Sequence, residues 1–127
     1  METFDPGETE TGDTLKINYI EFPANDLDAV QAFYEDAFGW NFTDYGPEYR
    51  AFSDDNLGGG FYKSPKHSAT ENGAALVVLY ARNLKAAQDR VIKVGGTIVT
   101  EIFDFPGGQR FQFADPSGNQ LAVWSDK

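Results

Sequence analysis

The stretch INYIEFPANDLDAVQAFYEDAFGWNF, residues 17–42, decides the fold. Its first residues alternate, with Ile17, Tyr19 and Glu21 on one face and Asn18, Ile20 and Phe22 on the other, so a strand is predicted over about Lys16–Phe22. Pro23 is expected to end it, because proline cannot donate to a ladder. Asn25 or Asp26 then caps a helix whose apolar stripe is Leu27, Val30, Tyr34 and Ala37, widened by Phe33 and Phe38. Gly39 supplies the left-handed stop. Shifted by 57 positions, the same plan recurs without a gap: Asp26-Leu27 falls on Asn83-Leu84, Ala29 on Ala86 and Gly39 on Gly96. A shift of 61 carries Gly46 to Gly107, Phe52 to Phe113 and Asp54 to Asp115. One half-domain is written twice.

Between the copies of the helix, strands are expected at Trp40–Tyr45, Tyr49–Ser53 and Gly58–Lys63, with turns at Gly46-Pro47 and Asp54-Asp55-Asn56. The second half adds strands at about Ala74–Ala81, Thr97–Phe105, Gln109–Ala114 and Asn119–Ser125, and a helix from Asn83 to Val94. The fold class is therefore α+β: two tandem βαβββ modules forming a curved, incompletely closed eight-stranded assembly with the helices outside. Module 1 spans about 16–63, residues 64–73 link, and module 2 spans about 74–125, giving one domain over 15–127 behind an acidic tail, 1–14, expected to be flexible.

Composition narrows the function. The formal net charge is −10, and no basic stripe tracks phosphates, which argues against nucleic acid. Cysteine is absent, so disulfides and thiolate metal sites are excluded. No apolar run is long enough to span a membrane and no secretory signal opens the chain, so a cytoplasmic protein is expected. The Gly58-Gly59-Gly60 run lacks the spacing and following helix of a phosphate loop.

Asp26-Leu27, Phe33-Tyr34 and Phe38-Gly39-Trp40 in the first half, with Gly95-Gly96 and Asp115-Pro116-Ser117-Gly118-Asn119 in the second, resemble the vicinal oxygen chelate superfamily of glyoxalases, bleomycin-resistance proteins and extradiol dioxygenases. The resemblance covers about residues 16–125. It implies metal ligands on the first and last strands of each half, at Tyr19, Phe61 (or Gly60, with a one-residue slip), Leu76 and Ala122. None is a histidine or carboxylate, so the resemblance points to a member with no metal and no other cofactor.

Alternation from those positions gives an expected cavity lining of Tyr19, Glu21, Phe61, Lys63, Leu76, Val78, Tyr80, Gln120, Ala122 and Trp124. An aromatic concavity with few polar groups suits a small organic molecule. Glu21 and Lys63 are expected to neighbour one another, as a ligand-orienting pair or as an ion pair at the cavity mouth. The faces of Arg50 and Arg110 stay open, and His67 is expected to be solvated. Three functions remain in play: sequestration of a small organic ligand, a metal-independent lyase or isomerase with Glu21 as general base, and a non-catalytic dimerising module. A homodimer is expected from the family resemblance and from sheet faces and edges that need cover.

Overall fold

The capping residues set the two helices. In the computed structural model, which describes residues 15–127, Asp26 takes an extended backbone and its Oδ1 accepts the Ala29 N–H at 3.0 Å, starting α1, Leu27–Phe38. Asn83 does the same with the Ala86 N–H at 3.0 Å, starting α2, Leu84–Lys93. Each side chain thereby satisfies one of the first-turn donors that has no partner within the helix. Gly39, at φ 74°, closes α1 by donating to the Glu35 carbonyl at 3.0 Å. The acidic tail 1–14 lies outside the described residues.

The strands are β1 (Tyr19–Ala24), β2 (Asn41–Asp44), β3 (Tyr49–Ser53), β4 (Gly58–Lys63), β5 (Val77–Tyr80), β6 (Thr97–Phe105), β7 (Gly108–Ala114) and β8 (Gln120–Ser125). They form two four-stranded sheets, ordered β1-β4-β3-β2 and β5-β8-β7-β6. In each sheet the first strand of the module runs parallel to its last, and the other pairs are antiparallel. The tandem βαβββ plan thus stands, with the sheets unclosed. Strand β1 is shifted from its expected span and runs through Pro23 to Ala24. It pairs only with β4, and an edge strand tolerates a residue without an N–H. The linker also holds a short 3₁₀ turn at Thr70–Asn72.

Aromatic packing joins the modules into one core. The α1 face buries Leu27, Val30, Phe33 and Tyr34. Tyr34 stacks on Phe61 of sheet 1 at 5.4 Å, while Phe33 meets Phe113 of sheet 2 at 5.9 Å. Helix α1 is therefore packed against both sheets, and Phe22, Phe61, Phe111, Phe113, Leu121 and Val123 belong to a single buried cluster. Each such side chain contributes about 1.5–3 kcal/mol by leaving water.

A buried polar lock reinforces that core. The Tyr34 hydroxyl donates to Asp115 Oδ2 at 2.9 Å. Asp115 Oδ1 accepts the N–H groups of Ser117 and Asn119 at 2.8 and 3.0 Å. The Asn119 amide donates to the Pro23 carbonyl at 2.7 Å and to Asp115 Oδ2 at 3.2 Å, and its oxygen accepts the Ser68 N–H at 2.8 Å. Burial raises the Asp115 carboxyl above the usual carboxylate range, and the donors around it oppose that rise. Burial likewise drives the Tyr34 phenol well up, reinforced by the adjoining carboxylate.

Candidate ligand-binding face

Pleating sends alternate residues of sheet 1 away from the helices. The register sets Tyr19 opposite Gly58 and Glu21 opposite Gly60 on β1–β4, and Tyr49 opposite Tyr62 and Ala51 opposite Gly60 on β3–β4. The helix-free face therefore carries Tyr19, Glu21, Tyr49 and Tyr62 around a floor of Gly58 and Gly60.

This register corrects two expectations. Tyr19 does not neighbour Phe61, nor Glu21 Lys63; the partners are Gly58 and Gly60. Phe61 pairs with Phe22, lies fully buried under α1 and stacks on that residue at 5.5 Å. Lys63 pairs with Ala24 and lines a shallow cleft with Asp26, Asp28, Pro47 and Arg50. Neither lines the face that bears Glu21. The pairing is offset by three residues from the expected one, Tyr19 meeting Gly58, so Gly58, Gly60 and Tyr62 share the face of Tyr19 and Glu21.

The glycine run explains the choice. A Cβ on Gly59 would collide with the Phe52 ring and the Ile20 carbonyl, and one on Gly60 would collide with the Tyr49 ring and hydroxyl. Tyr49 thus lies flat across Gly60 and reaches Glu21. Its hydroxyl donates to Glu21 Oε2 at 2.8 Å and is 2.6 Å from the Tyr19 hydroxyl. Desolvation, followed by the bonds to Tyr19 and Glu21, holds the Tyr49 phenol far above its ordinary range. Sequence reasoning left out Tyr49 and Tyr62. Alternation carried back across the Asp54-Asp55-Asn56 turn would have set them opposite one another.

On sheet 2 the expected residues largely share a face. Val78 pairs with Ala122 and Tyr80 with Trp124; across β7–β8, Gln112, Arg110 and Ala114 oppose Ala122, Trp124 and Gln120. Leu76 precedes β5 and is half-buried. The Tyr80 ring meets Trp124 edge-on at 5.2 Å, and its hydroxyl donates to Asp126 at 2.6 Å, a bond that raises the phenol and lowers the carboxyl. Gln120 is tied to the linker, accepting from the Thr70 hydroxyl at 3.1 Å and donating to Glu71 at 3.3 Å. Ala122 is fully buried at the base of this face.

The two arginines fall on different sides. Arg50 opposes Phe61 on the helix side and binds Asp28 and Gln31 at 2.8 Å each, with Asp44 at 3.3 Å. Arg110 lies on the Trp124 side, its guanidinium 5.4 Å from the Phe103 ring centre and its Nε buried without a partner. His67 is exposed beside Gly118. A cleft of about 480 Å³ opens along the free edge of β5, between Trp40, Asp54 and Asn56 of module 1 and Leu79 and Ala87 of module 2, and it adjoins the sheet 2 face through Val78 and Tyr80.

Paired βαβββ modules with an open, aromatic, helix-free face on each sheet define a glyoxalase-type fold. The chain belongs to the Glyoxalase/Bleomycin resistance protein/Dioxygenase superfamily, whose pattern it matches over residues 16–123. Comparison with curated proteins finds no match. Among solved structures it resembles a glyoxalase/bleomycin resistance protein/dioxygenase family enzyme from Burkholderia phytofirmans PsJN, at 15% identity and a TM-score of 0.73 over 89% of this chain and 100% of that one. A glyoxalase-related enzyme from Fulvimarina pelagi matches at 20% identity and 0.69, over 87% of each chain. A lactoylglutathione lyase from Agrobacterium tumefaciens matches at 21% and 0.68, over 89% and 95%. At such identities the likeness is one of fold.

The positions that the resemblance reserves for metal ligands carry Tyr19, Phe61 or Gly60, Leu76 and Ala122. The Tyr19 hydroxyl is engaged with Tyr49, and the other three side chains offer no donor atom. That set does not fit a divalent cation. Among the described residues no three His, Asp or Glu side chains converge, and no helix is long and apolar enough to cross a membrane.

Proposed function

We propose that this chain binds a small organic molecule without a metal, on the helix-free faces of its sheets, and acts by sequestration. One observation carries the reading. Both faces hold large apolar side chains in water: Tyr19 and Tyr80 are each 48% exposed, with Tyr62, Val78 and Phe103 beside them. Patches of this kind on a folded domain mark interaction sites. Because the two modules share one core on their helix sides, we infer that the opposing wall is supplied by a second copy, making a homodimer with the ligand between facing sheets. The outer strands β1 and β5 add unpaired edges that a partner would cover.

Glu21 supports a second reading, a metal-independent lyase or isomerase. Its carboxylate is exposed and accepts a bond from Tyr49, so it is placed to take a proton from a bound substrate. A thermal-shift screen of small organic molecules tests binding, since a ligand of the native state raises the melting temperature by mass action. Turnover of a stabilising compound would select the enzyme, and binding without turnover the sequestering protein. A screen without any stabiliser would leave the third possibility, a dimerising module. Light scattering at micromolar concentration is expected to give twice the 14.0 kDa chain mass; a clean monomer would refute the shared cavity.

A further inference from the structure

We propose that the ligand seated on sheet 1 is an organic cation, an ammonium or amidinium on an aromatic or apolar body, with Glu21 as its counter-charge. The proposal rests on the binding reading above and adds the chemical class. It follows from counting protons along the Tyr19–Tyr49–Glu21 chain. A carboxylate only accepts, so the single Tyr49 proton is committed to Glu21 Oε2 at 2.8 Å. The 2.6 Å contact between the phenols then requires Tyr19 to donate to Tyr49. Both phenol protons are spent inside the chain. What the chain offers outward is the second oxygen of Glu21 and the lone pairs of Tyr19, and these are acceptors. A ligand meeting them has to bring hydrogen-bond donors, and a positive charge makes those bonds shorter and stronger.

The surroundings agree. The register puts no lysine or arginine on this face of sheet 1; Arg50 and Lys63 fall on the other side, and Arg110 belongs to sheet 2. Glu21 forms no ion pair among the described residues. The exposed rings of Tyr19 and Tyr62 border the carboxylate and offer π-faces to a cation. The bare backbone of Gly60 lets Tyr49 lie down against the sheet and reach Glu21, and over Gly58 the Tyr19 ring stands at ordinary contact distance.

The test compares three probes of one shape on the full chain: benzamidine (cation), benzamide (neutral) and benzoate (anion), by calorimetry. N-phenyl-1-naphthylamine, neutral and fluorescent, reports the apolar site independently. Benzamidine is expected to bind at least about tenfold tighter than benzamide, with benzoate weakest. Glu21→Gln should weaken benzamidine about tenfold or more and leave the naphthylamine unchanged, while Glu21→Asp should keep most of the benzamidine affinity. Asp36→Asn, on the exposed side of α1, controls for the overall negative charge and should change nothing. Equal affinity for benzamidine and benzamide, or an equal loss in Asp36→Asn, would overturn the proposal. Naphthylamine binding without benzamidine binding would overturn the cation while sparing the binding reading. Failure of both probes would remove the site itself, and the cation with it.

Discussion

Three neighbouring glycines do three different jobs. Around Gly58 an added Cβ meets only ordinary contacts, with the Phe52 carbonyl and Tyr19 ring at 3.7 Å. Around Gly59 it meets backbone and a buried ring, and around Gly60 it meets the tip of Tyr49. Gly58→Ala is therefore expected to be neutral or slightly stabilising. Gly59→Ala should cost about 1–3 kcal/mol, because the Phe52 ring and the Ile20 carbonyl have nowhere to go. Gly60→Ala should cost less, since Tyr49 can swing outward, but it should break the bond to Glu21. Denaturant melts rank the three. A spectrophotometric titration separates the last: freed from desolvation and from its bonds to Tyr19 and Glu21, Tyr49 should ionise near the ordinary tyrosine value of about 10, adding one early-titrating phenol. A wild-type titration curve in Gly60→Ala would show that Tyr49 owes nothing to the glycine.

At the level of elements, both helices were legible because cap, stripe and stop agree on the same boundaries. Of the two caps open for the first helix, Asp26 rather than Asn25 forms; Asn83 caps the second as expected, and Gly39 takes its left-handed turn. Strand β6 spans the expected residues, whereas β5 is shorter than its apolar run suggested, Val77–Tyr80 rather than Ala74–Ala81. The β1–β4 register was not legible. Register is read from which side chains want burial, and a one-residue slip exchanges the two faces. Three glycines in succession carry no such preference, so the sequence of β4 does not announce that Phe61 belongs inside. The Asp115 turn was read as a turn, and its role as a lock between modules was not visible, because its partners Tyr34 and Pro23 lie far off in sequence. Asp115→Asn tests that role. Every neighbour of this carboxylate is a donor, and Asn119 cannot rotate its amide without losing both Pro23 and Ser68. An asparagine would turn one NH₂ against these donors and leave buried groups unsatisfied, at about 1–3 kcal/mol. A denaturation midpoint equal to wild type would show the lock to be dispensable.

For the whole molecule, the two tryptophans stand on either side of Tyr80, which belongs both to the open face of sheet 2 and to the cleft. Trp124 is on the helix-free face of sheet 2, near Tyr80 and Phe105. Trp40 is stacked on Tyr34 and Phe52 at 4.6 Å each and borders the 480 Å³ cleft. A ligand on the open faces should change Trp124 emission, and that change should survive Trp40→Phe. A change that disappears in Trp40→Phe would move the binding site to the cleft. Strict alternation was enough to put Tyr19, Glu21, Val78, Tyr80 and Trp124 on the helix-free sides of their sheets, whereas the glycine-rich β4 turned Phe61 and Lys63 to the other side.

The polar lock also bears on the origin of the chain as a doubled half. Asp54 and Asp115 correspond under the repeat and each holds a turn, the second one residue longer: Asp54 Oδ1 accepts the Asn56 and Leu57 N–H groups, and Asp115 Oδ1 those of Ser117 and Asn119. Yet Tyr34, which reaches Asp115, corresponds to Val91, which has no hydroxyl to offer Asp54. An ancestral symmetry has been spent on a one-way bond. Two identical second halves would bury a carboxylate with no tyrosine hydroxyl to meet it, whereas the first half carries both an aspartate and a tyrosine at the corresponding positions. The dependence therefore runs one way: the second half leans on a hydroxyl that only the first half supplies.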